Sequence, residues 1–207
     1  MRLILHPGYD NPAHGLWCHD VRPGEEMLEN LSRQELVEYA VTFVASCAER
    51  AINIASWAAA LDGRPYDAAI YVEAVETLWR HDPRDVHVFS ARMVQLEEMH
   101  EMTVADELTG PPAYGFHSIL VLHSGLRAVT ELTPENVEDC SLAARNAASY
   151  LERLIRSEDC LLSAEELSQH EDIKDLLRGA SADRLRDRAR QAGRNRMNLF
   201  RSRSHLA

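Results

Sequence analysis

Apolar residues recur at spacings of three and four through most of this chain, and between Ser32 and Gly63 they do so on two adjacent rows. One row is Leu36, Ala40, Phe43, Cys47, Ala51, Ile54, Ala58 and Leu61; the other is Val37, Val41, Val44, Ala48, Ile52, Ala55 and Ala59. One apolar row marks a surface helix, whereas two adjacent rows mark a helix covered on most of its circumference. Ser32 and Glu35 have the spacing of a capping box, and Gly63 and Pro65 supply a stop. The pattern therefore predicts a central helix of roughly 45 Å at 1.5 Å rise per residue.

Shorter amphipathic helices follow. Pro65 opens one whose apolar face is Ala68, Tyr71, Val72, Val75, Leu78 and Trp79. Asp82-Pro83-Arg84-Asp85 is a second start signal, for a helix facing inward through Val86, Phe89, Met93, Leu96 and Thr103 and stopping before Gly110-Pro111-Pro112. A fourth helix runs from Tyr114 to Leu132, with Ile119, Leu120, Leu122, Leu126 and Val129 apolar. A fifth opens at Thr133-Pro134 and faces inward through Val137, Cys140, Ala144, Ala148, Leu151 and Ile155. Ser163 and Glu166 repeat the capping box for a sixth that ends at Gly179, and Ser181 begins an Arg-rich helix to about Gly193. No period-2 alternation of any length occurs, so no sheet of consequence is expected. The fold class predicted is all-α: one antiparallel bundle of about six or seven helices around residues 34–62. Residues 1–31 form an irregular arm, 32–178 the helical domain and 179–207 an Arg-rich helix and tail.

Charge changes this picture. The chain carries a formal net charge of −11. From Arg178 onward, nine Arg against two Asp give +7, which leaves −18 on residues 1–177. An acidic body disfavours nucleic acid and favours basic partners. The basic tail is expected to dock on that body, in a contact weakened by salt. No apolar run is long enough for a membrane span, and MRLILHPGYD is too short for a signal-peptide core, so a cytoplasmic location is expected. Cys18, Cys47, Cys140 and Cys160 are scattered, which argues against a disulfide framework or a cysteine zinc site.

Candidate chemistry is sparse. Glu97-x-x-His100, beside Glu101, matches half of a di-iron carboxylate motif, and the second half is missing. Glu166 and His170 fall on a peripheral helix. His6, His14, Cys18 and His19 lack the paired spacing of a zinc site. No metal or other cofactor is expected. Arg80 and His87 fit the R-x(4–6)-H pattern of the helical ribonucleases called HEPN domains, although Pro83 interrupts the interval. His117 and His123 have no nucleophile context, and no Gly-rich phosphate loop occurs. The remaining polar group is Glu49-Arg50 with Asn53, inside the central helix. Charges there require partners, for which Glu76, Arg80 and Arg127 on neighbouring helices are the candidates. The candidate binding or structural polar cluster is thus Glu49, Arg50, Asn53, Glu76 and Arg80.

The runs SCAER at Ser46–Arg50, VETLW at Val75–Trp79 and LAARNAASYLERL at Leu142–Leu154 resemble the YjaG-like family of uncharacterised bacterial helical proteins, over roughly residues 36–156. That resemblance implies an all-α domain of antiparallel helices and no particular activity. The long irregular N-terminus and the Arg-rich extension depart from it.

The function expected is that of a non-catalytic interaction protein whose acidic body neutralises a basic protein partner, as immunity and antitoxin proteins do; a homodimer is compatible with the same pattern. The alternatives are an enzyme built on Glu49, Arg50, Glu76 and Arg80, a HEPN-like ribonuclease, and a nucleic-acid-associated factor acting through the Arg-rich tail.

Overall fold

Helix α1 (Arg33–Leu61) is the central element, and every residue from Phe43 to Ile52 is buried, so the helix is covered on all sides there. The computed structural model describes residues 33–80, 86–104, 108–156 and 160–203. Among these the chain forms eight helices and no strand. After α1 come α2 (Pro65–Arg80), α3 (Val86–Glu97), α4 (His100–Thr103), α5 (Gly110–Thr130), α6 (Pro134–Leu154), α7 (Leu161–Leu177) and α8 (Ala182–Arg203). The bundle is all-α, as the periodicity predicts. Ser32, Asp82 and Pro83, like His6, His14, Cys18 and His19, lie outside the described residues.

Local chemistry explains most boundaries. Gly63 takes φ 73°, a left-handed conformation that costs glycine little, and Arg64 N–H donates to Ala59 O at 2.9 Å to close the end of α1. Thr133 caps α6 by accepting from Asn136 N–H at 3.2 Å, with Pro134 in the first turn. Ser181 accepts from Arg184 N–H at 3.3 Å at the start of α8.

Four boundaries differ from expectation. The third predicted helix breaks at Met99, which is extended at φ −67° and ψ 147°. The break turns Met99 and Glu101 into the interior, and Glu101 is clamped by Arg64 at 2.5 and 2.9 Å. Thr103 and Val86, expected inside, are exposed, as is Val72. Helix α5 begins at Gly110 rather than Tyr114, because Pro111 and Pro112 are accommodated in a first turn that needs no N–H. Helix α7 begins at Leu161, ahead of the Ser163/Glu166 box, with Cys160 left-handed at φ 39°. Helix α8 runs through Gly193 to Arg203, because Gly193 serves a close helix contact instead of a stop.

The core is one cluster centred on α1, which packs against α5, α2, α8, α6 and α7. Pairs such as Val44 with Gly125 and Ala51 with Ser118 run α5 antiparallel to α1. Ion pairs from Arg50 to Glu165 and Asp172, with Ser46 also on Asp172, place α7 antiparallel as well. Glu49 with Arg190, Asn53 with Gly193 and Trp57 with Phe200 place α8 parallel to α1. Cys47, Ile54, Leu126 and Leu151 are all buried. Leu126 and Leu151 sit at the interior of α5 and α6, and truncating either to Ala should destabilise the protein by about 2–5 kcal/mol in urea denaturation. A loss below about 1 kcal/mol at both would contradict the packing described, since cavities at closed core sites carry the larger cost.

Candidate functional site

Glu49 and Arg50 are sequence neighbours whose side chains leave α1 in different directions and serve two different clusters. Arg50 is the centre of the deeper one. Its Nε donates to Glu165 Oε2 at 2.9 Å, Nη1 to Ser46 Oγ at 2.8 Å and Asp172 Oδ2 at 2.6 Å, and Nη2 to Glu165 Oε1 at 2.8 Å and Cys47 Sγ at 3.3 Å. All five guanidinium N–H groups are thereby used. Glu165 also accepts from Arg196 of α8 and from Gln169 Nε2 at 2.8 Å, and Gln169 is fixed in turn by Ser141 of α6. Arg188 bridges Asp172 Oδ1 and Asp175 Oδ2, each at 2.5 Å. Glu165 and Asp172 are fully buried, and Arg50 and Arg196 retain 2% and 6% exposure, so the centre of this layer is closed to water, while Arg188 at its edge is partly exposed.

The shallower cluster forms between α1, α2 and α8. Glu49 accepts from Trp79 Nε1 at 2.7 Å and from Arg190 Nε at 3.1 Å. Glu76 accepts from Arg186 and from Arg190 Nη2 at 3.2 Å, and pairs with Arg80 at 2.9 Å. The Arg186 guanidinium lies over the Trp79 ring at 5.6 Å. Asn53 lies under Gly193, where a Cβ would stand 2.7 Å from Asn53 Nδ2 and 3.1 Å from Glu49 O. The structure thus gathers Glu49, Glu76 and Arg80 in one place and Arg50 in another, with Asn53 beneath α8. Arg80 is an exposed margin paired with Glu76, and Arg127 pairs with Glu131 of its own segment, at 3.8 Å.

Sequence reasoning missed Glu165, Asp172, Arg188 and Arg196, yet a signal is present. The inward stripe of α7 is Leu161, Glu165, Gln169, Asp172 and Leu176, and polar residues replace apolar ones in its middle. The stripe of α8, Leu185, Ala189, Gly193, Arg196 and Phe200, carries a charge at the matching level. Charged residues inside an apolar register imply burial against charges of opposite sign.

Electrostatics follow from this geometry. Burial alone raises the Glu165 pKa, but the Arg50 and Arg196 charges and their hydrogen bonds overcome it and bring it down to about 2. A hydrogen bond from Arg188 holds Asp175 below the usual carboxylate range. Burial pushes the Cys47 thiol well up, so it is a packed thiol and not a nucleophile.

The other candidates are dispersed. Glu97 ends α3 and accepts from His123 at 3.0 Å, while His100 begins α4, so the E-x-x-H pair does not share a helix. Glu101, beside that pair in sequence, is buried against Arg64. Glu166 and His170 are exposed on α7. Arg80 ends α2, His87 lies in the first turn of α3, and both are exposed. Burial and the Arg153 charge hold His117 below the usual imidazole range, and it packs against Tyr150. Among the described residues, no group of three or more His, Cys, Asp or Glu is placed to hold a metal ion, and no helix is long and apolar enough to cross a membrane. Searches of known proteins found no matching family model, curated relative or solved structure.

Two outcomes are expected. Replacing Arg50 by Met should cost about 3–5 kcal/mol in urea denaturation, because it takes the central, fully buried charge partner from Glu165 and Asp172 and leaves each with one arginine of α8. Glu165 has a folded pKa depressed from the ordinary 4.5 to about 2, so its stabilisation is complete above about pH 4.5 and lost as pH falls toward 2. That loss should be on the order of 3 kcal/mol, and Glu165→Gln should flatten the decline between those two pH values. An unchanged slope in the variant would assign acid lability to other groups.

Proposed function

We propose that the protein is a non-catalytic acidic interaction protein that binds and neutralises a basic protein partner, in the manner of immunity and antitoxin proteins, in the cytoplasm. One observation carries this reading: the acidic body already holds an arginine-rich helix, taking five of its arginines onto Glu49, Glu76, Glu165, Asp172 and Asp175. The saturation of Arg50 supports it further, since all of that side chain's donors are committed within the fold and none is left for a substrate. Acidic residues also stand on the outer surface, as with Glu135, Glu138 and Asp139 on α6. Ion pairs with the body occupy five of the eight arginines of α8 and so compete with phosphate for them. The likeness of SCAER, VETLW and LAARNAASYLERL to YjaG-like proteins belongs to the same proposal and adds no activity to it.

To test the proposal, the full chain would be immobilised and exposed to nuclease-treated extract of its source organism. The captured protein would then be purified and titrated at 50 and 500 mM salt, concentrations that bracket weak and strong screening, with Debye lengths above about 10 Å and below about 5 Å. The expected partner has an excess of Lys and Arg, binds one to one, and loses at least about tenfold in affinity at the higher salt. A nuclease-sensitive capture, an acidic partner, or a homodimer that excludes every partner would overturn the proposal.

A further inference from the structure

We propose that the cleft filled by α8 is a receptor for an arginine-rich helix of a partner protein, and that α8 is its resident occupant in cis. This rests on the function proposed above and names the surface and the chemistry of the partner. The cleft has α1 as its floor and α2 and α7 as its walls. The body brings five carboxylates to it, Glu49, Glu76, Glu165, Asp172 and Asp175, with the buried cation Arg50 and, at the rim, Arg80; α8 brings Arg186, Arg188, Arg190 and Arg196, with the more exposed Arg184 on Asp175. Without α8 the five carboxylates face Arg50 and, at the rim, Arg80, an excess of three negative charges, and α8 more than offsets that excess with its arginines. An empty cleft of this kind attracts a basic helix and little else.

The shape is as selective as the charge. Position 193 favours glycine, because a Cβ would meet the Asn53 amide at 2.7 Å and the backbone oxygens of Glu49 and Arg50 at 3.1 and 3.4 Å, and α1 or Asn53 would have to shift to admit it. Seven residues further along the helix, Phe200 packs edge-on against Trp57, with ring centres 5.2 Å apart. The groove therefore reads a helix with arginines at positions i, i+2, i+4 and i+10, a glycine at i+7 and an aromatic at i+14.

The occupant is replaceable. The backbone of α8 packs closely on α1 alone and reaches α2 and α7 chiefly through its arginine side chains. It joins α7 through residues 178–181, where Gly179 takes φ 76°. Its fit is also incomplete. Arg186 Nε approaches Glu49 no closer than 3.8 Å, and neither it nor Arg188 Nε makes a hydrogen bond although both are buried. Buried donors without partners weaken the resident helix relative to one that satisfies them. A partner must still outcompete a helix tethered at high effective concentration, so the apparent affinity scales with the fraction of molecules whose cleft is open.

The probe is a fluorescein-labelled synthetic peptide spanning residues 181–203, added to the full chain and to the full-length variant Arg186→Ala/Arg190→Ala, whose buried Arg50 layer is untouched. Anisotropy should show the peptide binding the variant at least about tenfold more tightly than the unaltered chain. Amide exchange across 182–203 of the protein should rise as the peptide binds. Adding Glu49→Gln and Glu76→Gln to that variant should remove binding, as should Gly193→Leu in the peptide. Should Arg186→Ala/Arg190→Ala fail to fold, Gly193→Ala in the full chain opens the same cleft. Equal weak binding by both proteins, or binding that leaves α8 protected from exchange, would overturn the proposal. A basic partner that binds while α8 stays protected removes this inference and leaves the general function standing. A peptide that binds as expected, with no basic partner found, does the reverse.

Discussion

A guanidinium cannot be buried in the middle of a helical bundle unless its charge and all its donors are met, and Arg50 sets that condition for the whole molecule. Helix α1 places Arg50 where apolar neighbours exclude water, so carboxylates have to be delivered to it from elsewhere in the chain. Helix α7 delivers Glu165 and Asp172. Two buried carboxylates then exceed one arginine, and the surplus is met by Arg196 and Arg188 of α8. Each step answers a charge left by the one before it, and the apolar contacts of α7 and α8 act in support of that alternation. Buried ion pairs contribute little net stability over well-packed apolar groups, but removing one member is costly. The layer is therefore better understood as fixing which helices meet, and at what height, than as the source of the bundle's stability.

The attachment of α8 has two grades with different physics. The rim pairs of Arg186 and Arg190 with Glu49 and Glu76 are partly wetted and screened by salt. The Arg196 and Arg50 pairs with Glu165 are shut away from solvent and are screened far less. The sequence suggests a tail contact weakened by salt, and that character belongs to its outer half. A ligand that enters at the rim meets the labile half first, which is the order in which a helix can be peeled away.

How much was legible can be judged residue by residue. The two apolar rows of α1, the Gly63 turn, the Thr133-Pro134 start and the buried faces of α5 and α6 follow from spacing and backbone chemistry, which act over a few residues. The break at Met99 does not, because it is made by Arg64, far away in sequence, drawing Glu101 inward. The same limit governs the polar cluster. Glu49, Arg50, Asn53, Glu76 and Arg80 stand out locally as charges or amides near an apolar helix, but their partners are set by how α7 and α8 stack, which periodicity alone leaves open. Gly193 is the instructive case. Glycine near the end of a helical pattern has two readings, a stop or a site of close approach, and only the neighbour across the interface distinguishes them.

The parallel course of α8 along α1 has a consequence for the field of the bundle. Sequence neighbours in a helical bundle alternate in direction, so their peptide dipoles oppose and largely cancel. Helices α1 and α8 point the same way, and their carbonyl ends gather at one pole of the molecule. The last turn of α1 carries no basic residue, whereas the last turn of α8 carries Arg201 and Arg203. Cations at a helix C-terminus offset the partial negative charge there. Those two arginines, both exposed, so serve as the counter-charge for a pair of aligned dipoles.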